Sequence, residues 1–320
     1  MVKAIAVASL LGLAACGSGA SNSHPKDEPA TSAEASSPAT SSSASAASSS
    51  SAGSVTKLSA PPLPSSNPVS CGALECRQLD EPAQALAFVL ASNPRVLAVG
   101  EAHAPKGASA RTATARFTRE LLPLLRGRAS DLVLELLVAP DSCKAAAEAE
   151  KLQAPVVDPQ AETNQAEFVA LRDEAARAGI EPHLLEPSCK DYEATVREGS
   201  NSISFMLVLI EALTEDRATL LLDKNEKQGR SEFVLTYGGA MHNDVAPPAA
   251  TEPYAFGPAL SKRAGGAYVE LDLIVPEFIK DTESWRALPW YAQYKKAKSG
   301  KVTLYRTAPS SFTLVFARGS

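Results

Sequence analysis

The sequence predicts an α/β domain with a mixed, mainly parallel sheet flanked by helices, a C-terminal β-hairpin and a disordered tether before it. Three observations favour this fold class. Apolar runs of strand length recur along residues 71–320, segments with helical spacing separate them, and residues 16–70 contain hardly any large apolar side chain. Strands that alternate with helices are typical of a parallel sheet.

Residues 1–15 have the pattern of a lipoprotein signal peptide. One early cation, Lys3, precedes an apolar stretch shorter than the roughly 20 residues that cross a bilayer. Residues 13–16, Leu-Ala-Ala-Cys, resemble the lipobox of bacterial lipoproteins. That resemblance implies cleavage before Cys16 and attachment of acyl chains such as palmitate, and several chains on one residue give stable anchoring. A plain secretory signal with a chance cysteine is the alternative.

Residues 16–70 are predicted to be a flexible tether behind the lipidated cysteine. Residues 31–60 alone contain 13 serines. Such a composition cannot bury enough apolar surface to offset the entropy of ordering, and as a random coil the segment would reach roughly 40 Å. We therefore expect the domain to be held off a membrane in the cell envelope. Gly17 favours the outer membrane of a Gram-negative bacterium, with the domain on its periplasmic face or on the membrane itself.

The predicted strands and helices alternate along residues 71–320, which we treat as one domain. Pro and Gly bound the first strand, and a glycine pair and His242 follow the fourth. The predicted strands are 94–101 (PRVLAVGE), 131–138 (DLVLELLV), 180–187 (IEPHLLEP), a run within 232–244 (EFVLTYGGAMHND) and 266–275 (GAYVELDLIV), followed by a hairpin in 301–318 that turns at 308–311. The predicted helices are 108–127, 162–178, 202–217, which is apolar nearly all round and therefore expected to be buried, and 284–297.

Charge and cysteine content limit the classes of partner. The chain has 31 basic and 36 acidic residues and no basic run longer than Lys295-Lys296, which argues against nucleic acid. A membrane reached through the lipid anchor and a small-molecule ligand or substrate are the expected partners. Four cysteines besides Cys16 fit two disulfides in an exported chain, and three pairings are possible. Cys71 with Cys76 would close a small loop and Cys143 with Cys189 would tie the middle; a cysteine-based metal site is the weaker interpretation, since no Cys-x-x-Cys occurs.

Polar residues occur at or near the ends of three predicted strands. Glu101 and His103 follow the first strand, Glu135 lies late in the second, and His242 follows the fourth. Because ligands of open parallel sheets bind beyond the carboxyl ends of the strands, these residues are expected to meet at one edge. Glycines at 100, 238 and 239 would permit positive φ or close backbone approach there.

Two of these segments share a motif. Residues 100–103 (GEAH) and 239–242 (GAMH) are both Gly-x-x-His, and LVLELL carries Glu135 between them. The ordered trio resembles the superfamily that unites ChaN-type haem-binding lipoproteins, Tiki and TraB proteins, and erythromycin esterases. The resemblance covers about residues 95–275 and implies that Glu101, His103, Glu135 and His242 line the active or ligand pocket. The chain departs from ChaN-type proteins in having APKGASA after the first motif, where further polar residues are common.

An arginine often belongs to the site in this superfamily, and Arg111, Arg116 and Arg119 compete for that role. His183 is expected to be structural. Glu135, a carboxylate inside a buried strand, must either pair with an arginine or face a site, whereas Glu101 either orients a ligand or is simply exposed. Three aromatic residues are expected to cover the sheet or to form the rim of a pocket: Trp285, Trp290 and Tyr291.

Two imidazoles and two carboxylates permit three kinds of chemistry. They could bind a divalent metal ion with an open coordination position, form a metal-free base in which a glutamate orients an imidazole, or supply one imidazole to haem iron. The leading hypothesis is an envelope lipoprotein that binds haem or a metal-containing ligand. The alternatives are a metal- or His/Glu-dependent hydrolase of an ester or peptide, and an inactive member that serves as an interaction protein.

Overall fold

A computed structural model of the chain describes residues 4–5, 69–295 and 300–319. The predicted lipidation site, Cys16, and almost all of the predicted signal peptide and tether lie outside the described residues. Among the residues that are described, no helix is both long and apolar enough to cross a membrane.

Ten strands form one mixed sheet, which confirms the predicted fold class. The sheet has the order β1-β5-β7-β4-β8-β10-β9-β3-β2, and β6 also pairs with β5. The strands are β1 (Ala4–Ile5), β2 (Val69–Cys71), β3 (Leu74–Leu79), β4 (Val96–Glu101), β5 (Ala129–Val138), β6 (Glu181–Leu185), β7 (Phe233–Gly239), β8 (Tyr268–Ile274), β9 (Val302–Ala308) and β10 (Ser311–Val315). The six neighbouring strands β6-β5-β7-β4-β8-β10 run parallel. β9 and β10 form the predicted C-terminal hairpin, and β3 adds to it antiparallel.

Helices cover both faces of the parallel part. The helices are α1 (Pro82–Leu90), α2 (Ala113–Arg116), α3 (Lys144–Val157), α4 (Asn164–Arg177), α5 (Cys189–Arg197), α6 (Ser202–Lys227), α7 (Gly257–Arg263), α8 (Glu283–Arg286) and α9 (Tyr291–Tyr294). On the first face, α1, α2 and α4 pack against strand residues such as Leu97 and Leu235. On the second face, α3, α5, α6 and α7 pack against residues such as Ala98 and Val234. Side chains along β4, β5 and β7 therefore alternate between two apolar cores.

The predicted helices are present with changed bounds. The helix predicted at 108–127 is α2, then a π-helical turn at Phe117–Leu121 and a 3-10 turn at Leu122–Leu125, and Pro123 lies in that last turn. Pro289 separates α8 from α9 within the helix predicted at 284–297. α6 extends ten residues beyond the predicted end, and the expectation that it is buried all round is wrong, because Val208 and Leu220 are 41% and 62% exposed.

The aromatic residues of the C-terminal region cover the sheet. Trp285, Trp290 and Tyr291 pack together with Tyr305 and Ile274 of the strands. Trp290 stacks on Tyr305 with 6.3 Å between the ring centroids. The packing therefore supports the interpretation that these residues cover the sheet, rather than the one in which they form the rim of a pocket.

Two disulfides are present, with the pairing considered first. Cys71–Cys76 spans the turn between β2 and β3, and Cys143–Cys189 joins the residues at the starts of α3 and α5. The second disulfide closes a loop of 46 residues that includes β6, whereas the first closes one of five. Because a longer closed loop restricts the unfolded chain more, the two should contribute unequally to stability.

Replacing Cys143 and Cys189 together by alanine should lower the free energy of unfolding by about 4 kcal/mol, against about 2 kcal/mol for Cys71 and Cys76 replaced together. Urea unfolding followed by circular dichroism measures both values. The double replacement at Cys71 and Cys76 is the matched control, since it also removes one disulfide and leaves no free thiol. If replacing Cys143 and Cys189 lowers the free energy of unfolding by no more than the control does, the loop-closure explanation is wrong.

Candidate functional site

The candidate site lies at the carboxyl edge of the parallel strands. β4 ends at Glu101 and β7 ends at Gly239, which are register partners. Glu135 lies near the end of β5, the other neighbour of β7. Both glutamates are buried, with 1% of Glu101 and 4% of Glu135 exposed.

The two glutamates point to opposite faces of the sheet. Glu101 alternates with Val99 and Leu97, which lie in the core of the first face. Glu135 alternates with Val133 and Leu137, which lie in the core of the second face. Since side chains alternate along a strand, the structure brings together Glu101 with His103 and Glu135 with His242, as two separate pairs at one edge.

The Glu101 carboxylate is held by three side chains. His103 Nδ1 lies 2.8 Å from Oε1, and the hydroxyls of Thr114 and Tyr237 each donate to Oε2 at 2.6 Å. These three contacts satisfy the hydrogen bonding of a carboxylate that is buried. The imidazole of His103 also packs on Phe168, with 5.8 Å between the ring centroids. The arrangement orients His103 as a carboxylate-backed imidazole.

Of the three candidate arginines, only Arg116 is buried, with 1% exposed. It lies on α2 two residues after Thr114, and its guanidinium is 5.0 Å from the centroid of the Phe316 ring. Burial lowers the pKa of Arg116 below its ordinary value, against the opposing effect of nearby glutamates. Arg111 lies at the surface beside Glu120, and Arg119 is exposed.

Within the part of the chain that the structure describes, the Glu135 carboxylate accepts one hydrogen bond, in contrast to that of Glu101. The N–H of Gly239 donates to Oε2 at 2.7 Å. Oε1 lies 3.9 Å from His242 Nε2. Neither of these two atoms has a hydrogen-bond partner among the described residues. On the other side of the ring, His242 Nδ1 lies 2.5 Å from the carbonyl oxygen of Tyr254. Because a carbonyl only accepts, Nδ1 carries the proton and the lone pair of neutral His242 is on Nε2.

Two glycines in register make room for the second pair. A Cβ at Gly238 would lie 2.2 Å from Glu135 Oε2, and a Cβ at Gly100 would lie 2.6 Å from the Cα of Ala240. Both residues therefore serve close approach rather than positive φ, the other possibility that the sequence left open. We call Gly100 and Gly238 the glycine gap.

The end of β7 serves both pairs. Tyr237 donates its hydroxyl to Glu101 on the first face, and Gly239, two residues on, donates its N–H to Glu135 on the second. The following loop, residues 240–244, then folds back over the glycine gap: Ala240 N bonds to the carbonyl of Glu101, and Phe256 N bonds to that of His242. The two pairs share one strand end although they lie on opposite faces.

Sequence reasoning missed several polar residues beside the second pair. Asn243, 1% exposed, donates to Asp272 Oδ1 at 3.0 Å, and Glu270 Oε2 accepts from Val245 N at 2.9 Å. Burial, with neighbouring carboxylates, raises the pKa of Asp272 well above its ordinary value and that of Glu270 to about 7. The sequence signal for Glu270 and Asp272 was the occurrence of two carboxylates at alternate positions of one apolar strand.

A third histidine cluster lies near the amino-terminal ends of β5 and β6. Asp131, Glu181 and His183 are close enough to hold a metal ion. The ammonium of Lys224, however, already lies 3.3 Å from Asp131 and 3.0 Å from Glu181. His183 Nε2 is 2.9 Å from Asp131. Burial acts to raise the pKa of Asp131, but hydrogen bonds from His183 and Ser130 and the charge of Lys224 lower it to about 2. These contacts make it an ion-pair network, in line with the structural role expected for His183.

Comparison of the chain with protein-family models, with curated proteins and with solved structures gave no match.

Replacing Tyr237 by phenylalanine should lower the free energy of unfolding by about 2 kcal/mol, because it removes a hydrogen bond to a buried carboxylate. Tyr192→Phe is the matched control. Tyr192 is also fully buried, but its hydroxyl has no hydrogen-bond partner among the described residues. Removal of this hydroxyl should therefore leave the free energy of unfolding unchanged or raise it. Chemical denaturation of both variants measures the difference, and equal losses would show that the contact with Glu101 contributes nothing.

Proposed function

We propose that the domain binds a divalent metal ion between Glu135 and His242. One observation carries the proposal: two buried acceptor atoms, Glu135 Oε1 and His242 Nε2, face each other at 3.9 Å with no hydrogen-bond partner among the described residues. A proton on either atom does not resolve this arrangement, since 3.9 Å is too long for a hydrogen bond. An ion with Zn–N and Zn–O distances of about 2.0–2.2 Å would satisfy both atoms.

The surroundings of His242 favour the same function. Its Nδ1–H donates to the backbone carbonyl of Tyr254. Metal-binding histidines usually donate their second ring N–H to a carbonyl or carboxylate, which fixes the tautomer and raises the basicity of the ligating nitrogen. Gly239 N holds the other carboxylate oxygen of Glu135 in the same way. Both ligands are therefore oriented before an ion arrives.

The burial of the pair favours a bare ion over haem. The resemblance to ChaN-type proteins makes haem iron the other possible occupant, with His242 as its ligand. Haem needs an open side next to the ligating nitrogen for the macrocycle, whereas His242 is 1% exposed and Glu135 4% exposed. The 3.9 Å between Glu135 Oε1 and His242 Nε2 is a separation that one ion bound by both atoms can span.

We also propose that the chain is an envelope lipoprotein anchored through Cys16. The support is the lipobox-like sequence at residues 13–16 and the serine-rich tether behind it. Anchoring would hold a metal-binding domain near a membrane, where a scarce ligand can be retained.

The full chain, stripped with a chelator and then given Zn²⁺, Mn²⁺ or Co²⁺, should retain about one ion per chain in metal analysis by mass spectrometry. His242→Ala and Glu135→Gln should each weaken binding by about 100-fold or more, because each removes a ligand atom. His183→Ala is the matched control and should bind as the wild type does.

No ion retained by the wild type, or loss in His183→Ala with retention in His242→Ala, would contradict the proposal. Haemin addition gives a second outcome. If haemin shifts the Soret band with the wild type and His242→Ala abolishes that shift, the ligand is haem and not a bare ion.

Hydrolysis of an ester or peptide is the second candidate, and the Glu101–His103 pair favours it. The carboxylate on Nδ1 places the basic lone pair of neutral His103 on Nε2 and stabilises the imidazolium that forms when the ring takes a proton. In that reaction water attacks the carbonyl carbon, His103 accepts the water's proton, and the leaving group takes a proton as the bond to it breaks.

If the domain is a hydrolase, His103→Ala should lower kcat by about 100- to 10,000-fold on any substrate found in an ester and peptide panel. His183→Ala again serves as the control. Turnover that survives in His103→Ala would exclude His103 as the base. A protein that neither binds an ion nor hydrolyses a substrate would be the inactive interaction protein of the third hypothesis.

A further inference from the structure

We infer that Asn243 Oδ1 is a third ligand of the ion between Glu135 and His242, and that Asp272 is the positioning residue that orients the Asn243 amide. The inference rests on the proposed metal function and names residues that neither Gly-x-x-His motif contains. Its support is the position of the amide over the glycine gap, the direction of its two ends, and the chemistry of the atoms left without partners.

The Asn243 side chain lies directly over Gly100, one of the two residues of the glycine gap. A Cβ at Gly100 would lie 2.6 Å from Oδ1 and 2.7 Å from Nδ2 of Asn243. A Cβ at Gly238 would lie 2.2 Å from Glu135 Oε2. Gly100 and Gly238 are register partners on neighbouring strands, and such strands are about 4.8 Å apart. The Asn243 amide and the Glu135 carboxylate are therefore neighbours on the second face.

The orientation of the amide is fixed by two acceptors. Nδ2 donates to Asp272 Oδ1 at 3.0 Å and to the carbonyl of Ala98 at 3.3 Å. A flipped amide would place its oxygen against both of these oxygens, so the observed assignment is the one that the contacts allow. The loop backbone is held as well, since the Tyr268 hydroxyl donates to the carbonyl of Asn243 at 2.5 Å.

The other end of the amide points toward the metal pair. Asp272 is on β8, on one side of β4, and β7 with Gly238 is on the other. Because Nδ2 reaches toward β8, Oδ1 at the opposite end of the amide is directed toward β7 and Glu135. Oδ1 has no hydrogen-bond partner among the described residues, and Asn243 is 1% exposed.

Three of the buried atoms that have no hydrogen-bond partner among the described residues share one chemistry. Glu135 Oε1, His242 Nε2 and Asn243 Oδ1 all accept and none donates in these states. An anion would be repelled by such a set, whereas a divalent cation would be attracted to it and could accept a lone pair from each atom. Carboxylate, imidazole and amide carbonyl suit Zn²⁺, Mn²⁺ or Co²⁺. Three protein ligands leave an open coordination position, as in catalytic rather than structural metal sites.

The test uses Co²⁺, whose visible absorption reports coordination, with the full-length chain. Asn243→Leu should weaken Co²⁺ binding by about 10- to 100-fold and change the absorption spectrum. Asp272→Asn should change the spectrum in the same direction, with a smaller loss of Co²⁺ affinity. The reason is that an amide at position 272 can donate to Asn243 Oδ1 and turn that oxygen away from the ion. Asn243→Asp alone would set an oxygen against Asp272, so it is combined with Asp272→Asn, whose amide can donate to that oxygen. This double variant keeps an oxygen toward the ion and should bind at least as tightly as the wild type.

Asn243→Leu with wild-type affinity and spectrum, in a protein where His242→Ala loses the ion, would overturn this inference and leave the proposed function intact. If Asn243→Leu does not fold, weaker binding by the Asn243→Asp/Asp272→Asn double variant than by the wild type overturns it instead. Absence of Co²⁺ binding by the wild type would overturn both.

Discussion

The candidate site depends on the absence of two side chains, those of Gly100 and Gly238. Parallel strands that end in an apolar core normally carry side chains that keep the following loop away from the sheet. Here a Cβ on Gly238 would overlap the Glu135 carboxylate, and one on Gly100 would overlap the backbone of Ala240 and the amide of Asn243. The loop after β7 can therefore lie on the sheet, and it brings His242 to Glu135.

Hydrogen bonding separates the two buried glutamates into different roles. Glu101 is contacted by His103, Thr114 and Tyr237, so its charge is satisfied by the protein itself. Glu135 receives one backbone N–H and faces a nitrogen lone pair. A buried carboxylate oxygen without a donor is costly, and this cost is what a bound cation would remove. The first pair orients an imidazole, whereas the second leaves two acceptor atoms facing each other, and the proposed metal site rests on that difference.

The sequence predicts the parallel strands, the residues at their ends and the two disulfides, because each depends on local pattern or on spacing. It does not predict that Glu101 and Glu135 lie on opposite faces, since this depends on the register between β4, β7 and β5. α3 escapes prediction because alanine supplies most of its apolar positions, which weakens the helical period. Asn243 becomes recognisable only when the loop is seen folded over Gly100.

The most direct test of this account is anomalous X-ray diffraction from crystals of the full chain grown with Co²⁺ or Zn²⁺. The account predicts a peak within about 2.0–2.2 Å of Glu135 Oε1 and His242 Nε2, with Asn243 Oδ1 turned toward it. A peak only at Asp131, Glu181 and His183, or no peak on the second face of the sheet, would contradict it.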